Sequence, residues 1–192
     1  LDPLDLIDGV EVEALVAKRT ANLMDPRQAE SIAKRTRRQF PNGIPSFGAD
    51  ALRFSMAAMA SQGSDVKFST KRIEGYRNFA TKLWNATRFA EMNGCVRVAG
   101  FDPKSARQTL NRWIAGEASR TRNAVTRAIE EHKYNEAAAA LYQLVWNVYC
   151  DWYVELIKPI LSGSDERAKT ETRASAAWVL DQILLLLHPF MP

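Results

Sequence analysis

Four long segments between residues 70 and 188 repeat apolar side chains with helical spacing and are separated by short turns. Long helices joined by short loops pack as antiparallel neighbours, so this pattern predicts an all-α fold, an antiparallel helical bundle. The third segment is apolar around most of its circumference, as expected of a central helix, and Pro159 is expected to stop it. The predicted helices cover 70–93, 108–132, 135–158 and 164–188.

The first third of the chain predicts a smaller helical and irregular region. Short helical patterns at 12–18, 26–39 and 51–59 are separated by a loop at 40–45, which is rich in Pro and Gly. A turn is predicted at 62–65. We therefore divide the chain into an N-terminal region, 1–68, and a helical bundle, 69–192.

The composition excludes several classes of protein. With 46% hydrophobic and 25% charged residues, the chain resembles a soluble globular protein, and its longest apolar run, 183–187, is too short to span a membrane. Its two cysteines and two histidines lack metal-ligand spacing, which predicts free thiols in a reducing compartment and no metal site. It also lacks a Gly-rich phosphate loop or any recognisable catalytic motif. Because it starts without Met and ends at Met191-Pro192, we expect a fragment.

The positive charge is concentrated in the middle of the sequence. Residues 61–133 contain 14 basic and 7 acidic side chains, a net charge of +7. The segment before them is neutral and the segment after them has a net charge of −3. This distribution favours an anionic partner such as nucleic acid, although solvated helix faces would also account for it.

The helix predicted at 70–93 has two different faces. One face is the expected core stripe, on which Trp84 should be buried; its members are Ile73, Tyr76, Ala80, Leu83, Trp84 and Thr87. The opposite face contains Lys71, Asn78, Lys82, Asn85 and Phe89, with Arg88 at its edge. Phe89 either packs against a neighbouring segment or is an exposed ring between cations, which would suit stacking on an unpaired base. Four aromatic residues of the central helix are expected in the core: Trp146, Tyr149, Trp152 and Tyr153.

Several motifs, in order along the chain, resemble the valyl-tRNA synthetases, a family of class I aminoacyl-tRNA synthetases. The match is strongest over 76–89, which reads YRNFATKLWNATRF. The opening DPLDLIDG resembles the stretch that follows the KMSKS loop of that family, and AKRTRRQFP at 33–41 resembles an insertion that many of its members carry. GADALRF at 48–54, YCDWYVE at 149–155 and HPFMP at 188–192 complete the pattern. Thr81 and Asn111 depart from the residues that are usual there, Asn and Asp.

The resemblance implies that 1–68 is the stem-contact region and that 69–192 is most of the helical anticodon-binding domain. It implies recognition of the tRNA(Val) anticodon, chiefly its middle A and third C, through Lys82, Arg88 and Phe89, the residues that the helical wheel also selects. Asn78 and Asn85 lie on the same face and are included in the predicted site.

The resemblance also implies a parent enzyme that uses ATP and Mg²⁺ to attach valine to tRNA(Val). This chain has no catalytic motif of its own, so the expected partners are tRNA(Val) and the catalytic domain of the same polypeptide, with neither DNA nor a membrane. A cytoplasmic monomer is expected. Two alternatives stay open at this stage: the anticodon domain of an isoleucyl enzyme, and a helical interaction scaffold with no RNA role.

Overall fold

The all-α prediction is confirmed. The structure is a computed structural model that describes residues 2–60 and 69–192, so the turn predicted at 62–65 lies outside the described residues. Its helices are α1 (Pro3–Ile7), α2 (Val12–Thr20), α3 (Ala29–Gln39), α4 (Ala49–Met59), α5 (Thr70–Met92), α6 (Thr109–Glu130), α7 (Tyr134–Tyr142), α8 (Val154–Ser162) and α9 (Glu166–Leu187). Within these ranges β-pairing is limited to a single bridge between Val10 and Ile44, and no helix is long and apolar enough to cross a membrane.

A continuous helical rod runs through the middle of the bundle. It consists of α7, a π-helical segment (Gln143–Tyr153) and α8. Both α5 and α6 pack against the π segment and against α9. Among the described residues α5 and α6 do not form a close packing pair with each other.

The prediction that Pro159 ends the third helix is wrong, because α8 continues through it to Ser162. A proline inside a helix removes a backbone hydrogen bond and crowds the preceding turn. Here Ile157 and Leu161, on either side of Pro159, are both buried in the main core. Their packing holds the last turn in place despite the proline.

The N-terminal region has its own apolar cluster, which contains Leu6, Leu15, Phe40, Ile44, Phe47, Ala51 and Ile73. Ile73 comes from the first turn of α5, and Tyr76, one turn later, packs against both this cluster and the main core. The start of α5 is therefore fixed by the N-terminal region, and the rest of the helix by the bundle.

A buried polar network joins the π segment, α6 and α9. Asn111 is fully buried; its Oδ1 accepts a hydrogen bond from the Tyr153 hydroxyl at 2.9 Å, and its Nδ2 donates to Glu171 Oε1 at 3.0 Å and to Thr172 Oγ1 at 3.1 Å. Glu171 Oε1 also accepts from the backbone N–H of Gln108 at 2.9 Å, at the start of α6, where helix N–H groups lack partners. The unusual Asn111 therefore has a structural role in this chain.

This network predicts that stability depends on pH through Glu171. Partial burial acts to raise the pKa of Glu171, but hydrogen bonds from Asn111 and from the backbone of Gln108 and Arg107 outweigh it and hold the pKa below its ordinary value of 4.5. A lowered pKa in the folded state stabilises the fold above pH 4.5, and this contribution is lost as the pH falls through the folded-state pKa.

Glu171→Gln keeps an oxygen acceptor but cannot titrate. We therefore expect the free energy of unfolding of the variant to fall less steeply than that of the unsubstituted chain as the pH drops below 4.5, measured by urea unfolding at a series of pH values. Glu130→Gln is the control, because it removes the same negative charge from an exposed position in α6. Parallel pH profiles for Glu171→Gln and the unsubstituted chain would contradict the prediction.

Candidate nucleic-acid interface

The buried stripe of α5 is rotated from the predicted one. Trp84, expected in the core, is 65% exposed, whereas Phe79, which was not placed on the core stripe, is fully buried. The buried residues of α5 are Ile73, Phe79, Ala86 and Ala90. The rotation follows from the neighbouring helices, because Phe54 of α4 and Tyr142 of α7 stack on the two sides of Phe79, each with its ring centroid 5.2 Å away.

This stacking continues outward and positions Lys82. The Tyr142 ring stacks on Trp146 at 5.6 Å, and the Lys82 ammonium lies 3.9 Å from the Trp146 ring centroid. Lys82 also forms an ion pair with Asp151 of the π segment. It is thus half-buried at the seam where α5 packs against the π segment, which we call the groove, and its position is fixed by an aromatic ring and a carboxylate.

Of the two alternatives for Phe89, the structure shows the one in which the ring packs against neighbouring segments. Phe89 is half-buried and packs against the main core cluster. The ammonium of Lys158 in α8 lies 5.7 Å from its ring centroid. The same rotation of α5 that exposes Trp84 brings Phe89 to the margin of the groove, where only part of the ring is accessible.

Four of the five predicted site residues form a row along α5, and the fifth lies beside it. Asn78, Lys82, Asn85 and Phe89 follow the i, i+4, i+7, i+11 spacing that places side chains above one another. We call these four residues the groove row. Arg88 is exposed beside it and forms no salt bridge within the described ranges. The structure thus brings together all five residues, with Lys82 and Phe89 half-buried and the other three exposed.

A second row on α5 was missed by the sequence analysis. Arg77, Thr81, Trp84 and Arg88 have the same spacing, shifted by one residue, and all four are exposed. We call them the outer row. Their spacing could have revealed this face, but the helical wheel placed Trp84 on the core stripe together with Ile73 and Leu83. Trp152 was misplaced in the same way: it is 61% exposed, whereas Tyr149 and Tyr153 are buried and Trp146 is half-buried.

The positive charge of the middle segment is shared between α5 and α6. On α6, Arg112, Arg120, Arg122 and Arg127 are exposed, and Arg120 forms an ion pair with Glu117. These arginines lie on a different helix from Lys82 and Arg88, and α6 is not a close packing partner of α5. They provide matched controls for the site on α5.

The described residues around the groove do not include an activated nucleophile. Burial raises the pKa of Cys150 to about 11, and burial also raises the pKa of Cys95. Neither thiol is therefore appreciably ionised at neutral pH. The described ranges also contain no group of three or more His, Cys, Asp or Glu side chains that could hold a metal ion. The chemistry available at the groove is binding through cations, amides and aromatic rings.

Comparison with known proteins agrees with this description. Residues 111–192 match the family model described as the anticodon-binding domain of tRNA ligase. The chain is 57% identical over 182 residues to the valine–tRNA ligase of Rhodopseudomonas palustris and 56% identical to that of Bradyrhizobium diazoefficiens; in both, the match covers 95% of this chain and 18% of the relative. It is 51% identical over 198 residues to the valine–tRNA ligase of Rhizobium meliloti, covering 99% of this chain and 19% of the relative.

The chain therefore spans about a fifth of the length of these relatives. The resemblance seen in the ordered motifs is confirmed over nearly the whole of the sequence. By these matches, the chain belongs to the valine–tRNA ligase family, over a part that includes the tRNA ligase anticodon-binding domain.

Proposed function

We propose that this chain recognises the anticodon of tRNA(Val) for a valine–tRNA ligase, using the groove row and Arg88. The observation that supports this most directly is the arrangement of two amides, a fixed ammonium, a half-exposed ring and an unpaired guanidinium along one helix. Unpaired bases of RNA loops are recognised by hydrogen bonds to their edges together with stacking, while cations neutralise their phosphates. The groove offers all three types of contact.

Each residue of the site would have a separate task. Asn78 and Asn85 are exposed, and their amides both donate and accept hydrogen bonds, which suits base edges. Arg88 is free to reach a phosphate or a base. The Lys82 ammonium already pairs with the Asp151 carboxylate. It would therefore either leave Asp151 for an acceptor of the RNA or contact both at once. Phe89 would stack with its accessible part only.

The remaining expectations concern the whole enzyme. We propose that the catalytic domain of the same polypeptide, which would use ATP and Mg²⁺, attaches valine to the bound tRNA. In this proposal residues 1–68 are the stem-contact region and 69–192 most of the anticodon-binding domain. The chain alone would not charge tRNA. The enzyme would act as a monomer in the cytoplasm, where its tRNA is found.

We expect Lys82→Ala and Arg88→Ala to weaken binding of tRNA(Val) by the 192-residue chain. The measurement is a titration at two salt concentrations with native tRNA(Val) and with a tRNA(Val) substituted in the anticodon. Loss of a phosphate contact lowers the salt slope by about one and affects both RNAs alike, whereas loss of a base contact reduces the preference for the native anticodon.

Arg127→Ala is the matched control, because it removes the same charge from an exposed position on a different helix, α6. If Arg127→Ala weakens binding as much as Arg88→Ala, general charge and not the groove attracts the RNA. If the unsubstituted chain shows no salt-dependent binding of tRNA at all, the chain is a helical scaffold and the proposal fails. Phe89→Ala is a poorer test because the ring also packs on the core.

A further inference from the structure

The outer row of α5 contains a large apolar side chain that the described residues leave largely uncovered. Trp84 is 65% exposed, although tryptophan is usually extensively buried in folded proteins. Exposed tryptophans are enriched where a partner binds, because the indole gains much contact area at a low entropy cost. Trp84 therefore points to a ligand outside the described part of the chain.

The neighbours of Trp84 indicate the chemistry of that ligand. Along the outer row, Arg77 lies two turns before Trp84 and Arg88 lies one turn after it, so a guanidinium stands on each side of the indole. The only side chain of the row between Arg77 and Trp84 is the small Thr81, whose hydroxyl donates to the Arg77 carbonyl at 3.1 Å. Glu74 and Glu91 lie beyond the two arginines. The indole is thus open and flanked by positive charge.

Arg77 also contacts the N-terminal region. Its Nη1 donates to the Ser46 carbonyl in the N-terminal region at 3.2 Å, while its remaining N–H groups stay available. The outer row shares Arg88 with the proposed anticodon site, and Trp84 lies next to Asn85 of the groove row, about 100° around the helix. Trp84 and Lys82, two residues apart, point to nearly opposite sides of α5, so a nucleotide on Trp84 would be a different one from the nucleotide that contacts Lys82.

We propose that Trp84 stacks on an unpaired nucleotide of the tRNA anticodon loop that the groove row does not read, with Arg77 and Arg88 neutralising the flanking phosphates. The inference rests on the proposed function and adds a second, sequence-independent contact to it. Every base has a π face, so stacking on an aromatic ring tolerates any base. Trp84 would contribute affinity, and the groove row would contribute discrimination.

This division of roles gives a test that separates Trp84 from the groove. The probe is the 17-nucleotide anticodon stem-loop of tRNA(Val), titrated into the 192-residue chain. We expect Trp84→Ala to weaken binding about tenfold, equally for native and anticodon-substituted loops, with no change in the salt slope, because the indole carries no charge. Trp84→Phe should retain most of the affinity, since a phenyl face also stacks.

Tryptophan fluorescence provides an independent readout. The stem-loop should quench emission from the unsubstituted chain, and the quenching should fall markedly in Trp84→Phe.

Trp152→Ala, which removes a similarly exposed indole from the π segment, is the control and should leave affinity for the stem-loop nearly unchanged. Trp84→Ala and the unsubstituted chain should bind with equal affinity to a hairpin that has the same stem but no unpaired loop bases. Because Trp84 is exposed, the variants should unfold at the midpoint of the unsubstituted chain.

The outcomes distinguish the two proposals. If Lys82→Ala and Arg88→Ala weaken stem-loop binding but Trp84→Ala does not, the stacking proposal is overturned and the anticodon function stands. Stacking would also be overturned if Trp84→Ala lost as much affinity for the paired hairpin as for the stem-loop. The same holds if Trp152→Ala lost as much affinity for the stem-loop as Trp84→Ala. If the unsubstituted chain does not bind the stem-loop, both proposals fail.

Discussion

Phe79→Ala should lower the free energy of unfolding by about 3–5 kcal/mol, the cost typical of removing a large buried aromatic side chain. Phe79 is fully buried, and its ring is stacked between Phe54 and Tyr142. Truncation leaves a cavity between three helices and removes two aromatic contacts. Urea unfolding followed by circular dichroism measures the change.

Trp84→Ala, five residues further along the same helix, is the matched control. Because Trp84 is 65% exposed, its loss should change the free energy of unfolding by only about 0.5 kcal/mol or less. The two variants together test the rotation of α5 about its axis. If Trp84→Ala were the more destabilising change, the helix would present the stripe that contains Trp84 to the core, as its sequence pattern first suggested.

Removing Phe79 should also weaken RNA binding. The ring is part of the stack that leads through Tyr142 and Trp146 to the Lys82 ammonium. Without it, Trp146 would lose part of its support and Lys82 its fixed position in the groove. Because Phe79 is fully buried, it cannot contact the RNA itself, and any loss of binding would come from a change in the position of Lys82.

Gly43→Ala should destabilise the N-terminal region by at least about 2 kcal/mol, through backbone strain and a steric clash. Gly43 has φ +72°, a conformation that side chains disfavour, and a Cβ there would lie 2.2 Å from the Val10 carbonyl oxygen. That oxygen accepts the 2.8 Å hydrogen bond from Ile44 N–H that closes the only β-bridge of the described residues. Hydrogen exchange at the Val10 and Ile44 amides would report the loss locally.

Gly75→Ala serves as the control for this prediction. Gly75 lies within α5, and a Cβ there meets no heavy atom within 4 Å. Alanine is favoured over glycine inside a helix, so this change should stabilise the chain by about 0.5–1 kcal/mol. A neutral result for Gly43→Ala would mean that the loop at 40–45 does not hold the bridge closed.

The helices themselves were predictable from the sequence because their signals are local. Apolar spacing and end signals placed α5, α6 and α9 within two residues of their observed bounds. Asp165 illustrates this: its carboxylate caps α9 by accepting from the backbone N–H groups of Arg167 and Ala168. The family was equally accessible, since the ordered motifs from 2 to 192 do not depend on how the helices pack.

What the sequence could not determine was which side of α5 faces inward. Two adjacent stripes of this helix contain large apolar residues, one with Trp84 and the other with Phe79, and periodicity alone cannot choose between them. Phe54 and Tyr142, distant in sequence, make the choice by stacking on Phe79. The continuation of α8 through Pro159 likewise depends on packing around Ile157 and Leu161.

The sequence by itself therefore determined the helical class, the positions of the helices and the family, because these depend on local spacing and on the order of motifs. Only the tertiary structure decided the exposure of Trp84, the partial burial of Phe89 and the pairing of Lys82 with Asp151. The physical reason is that burial belongs to a contact between helices, and the rotation of a helix is fixed by the side chains that its neighbours insert against it.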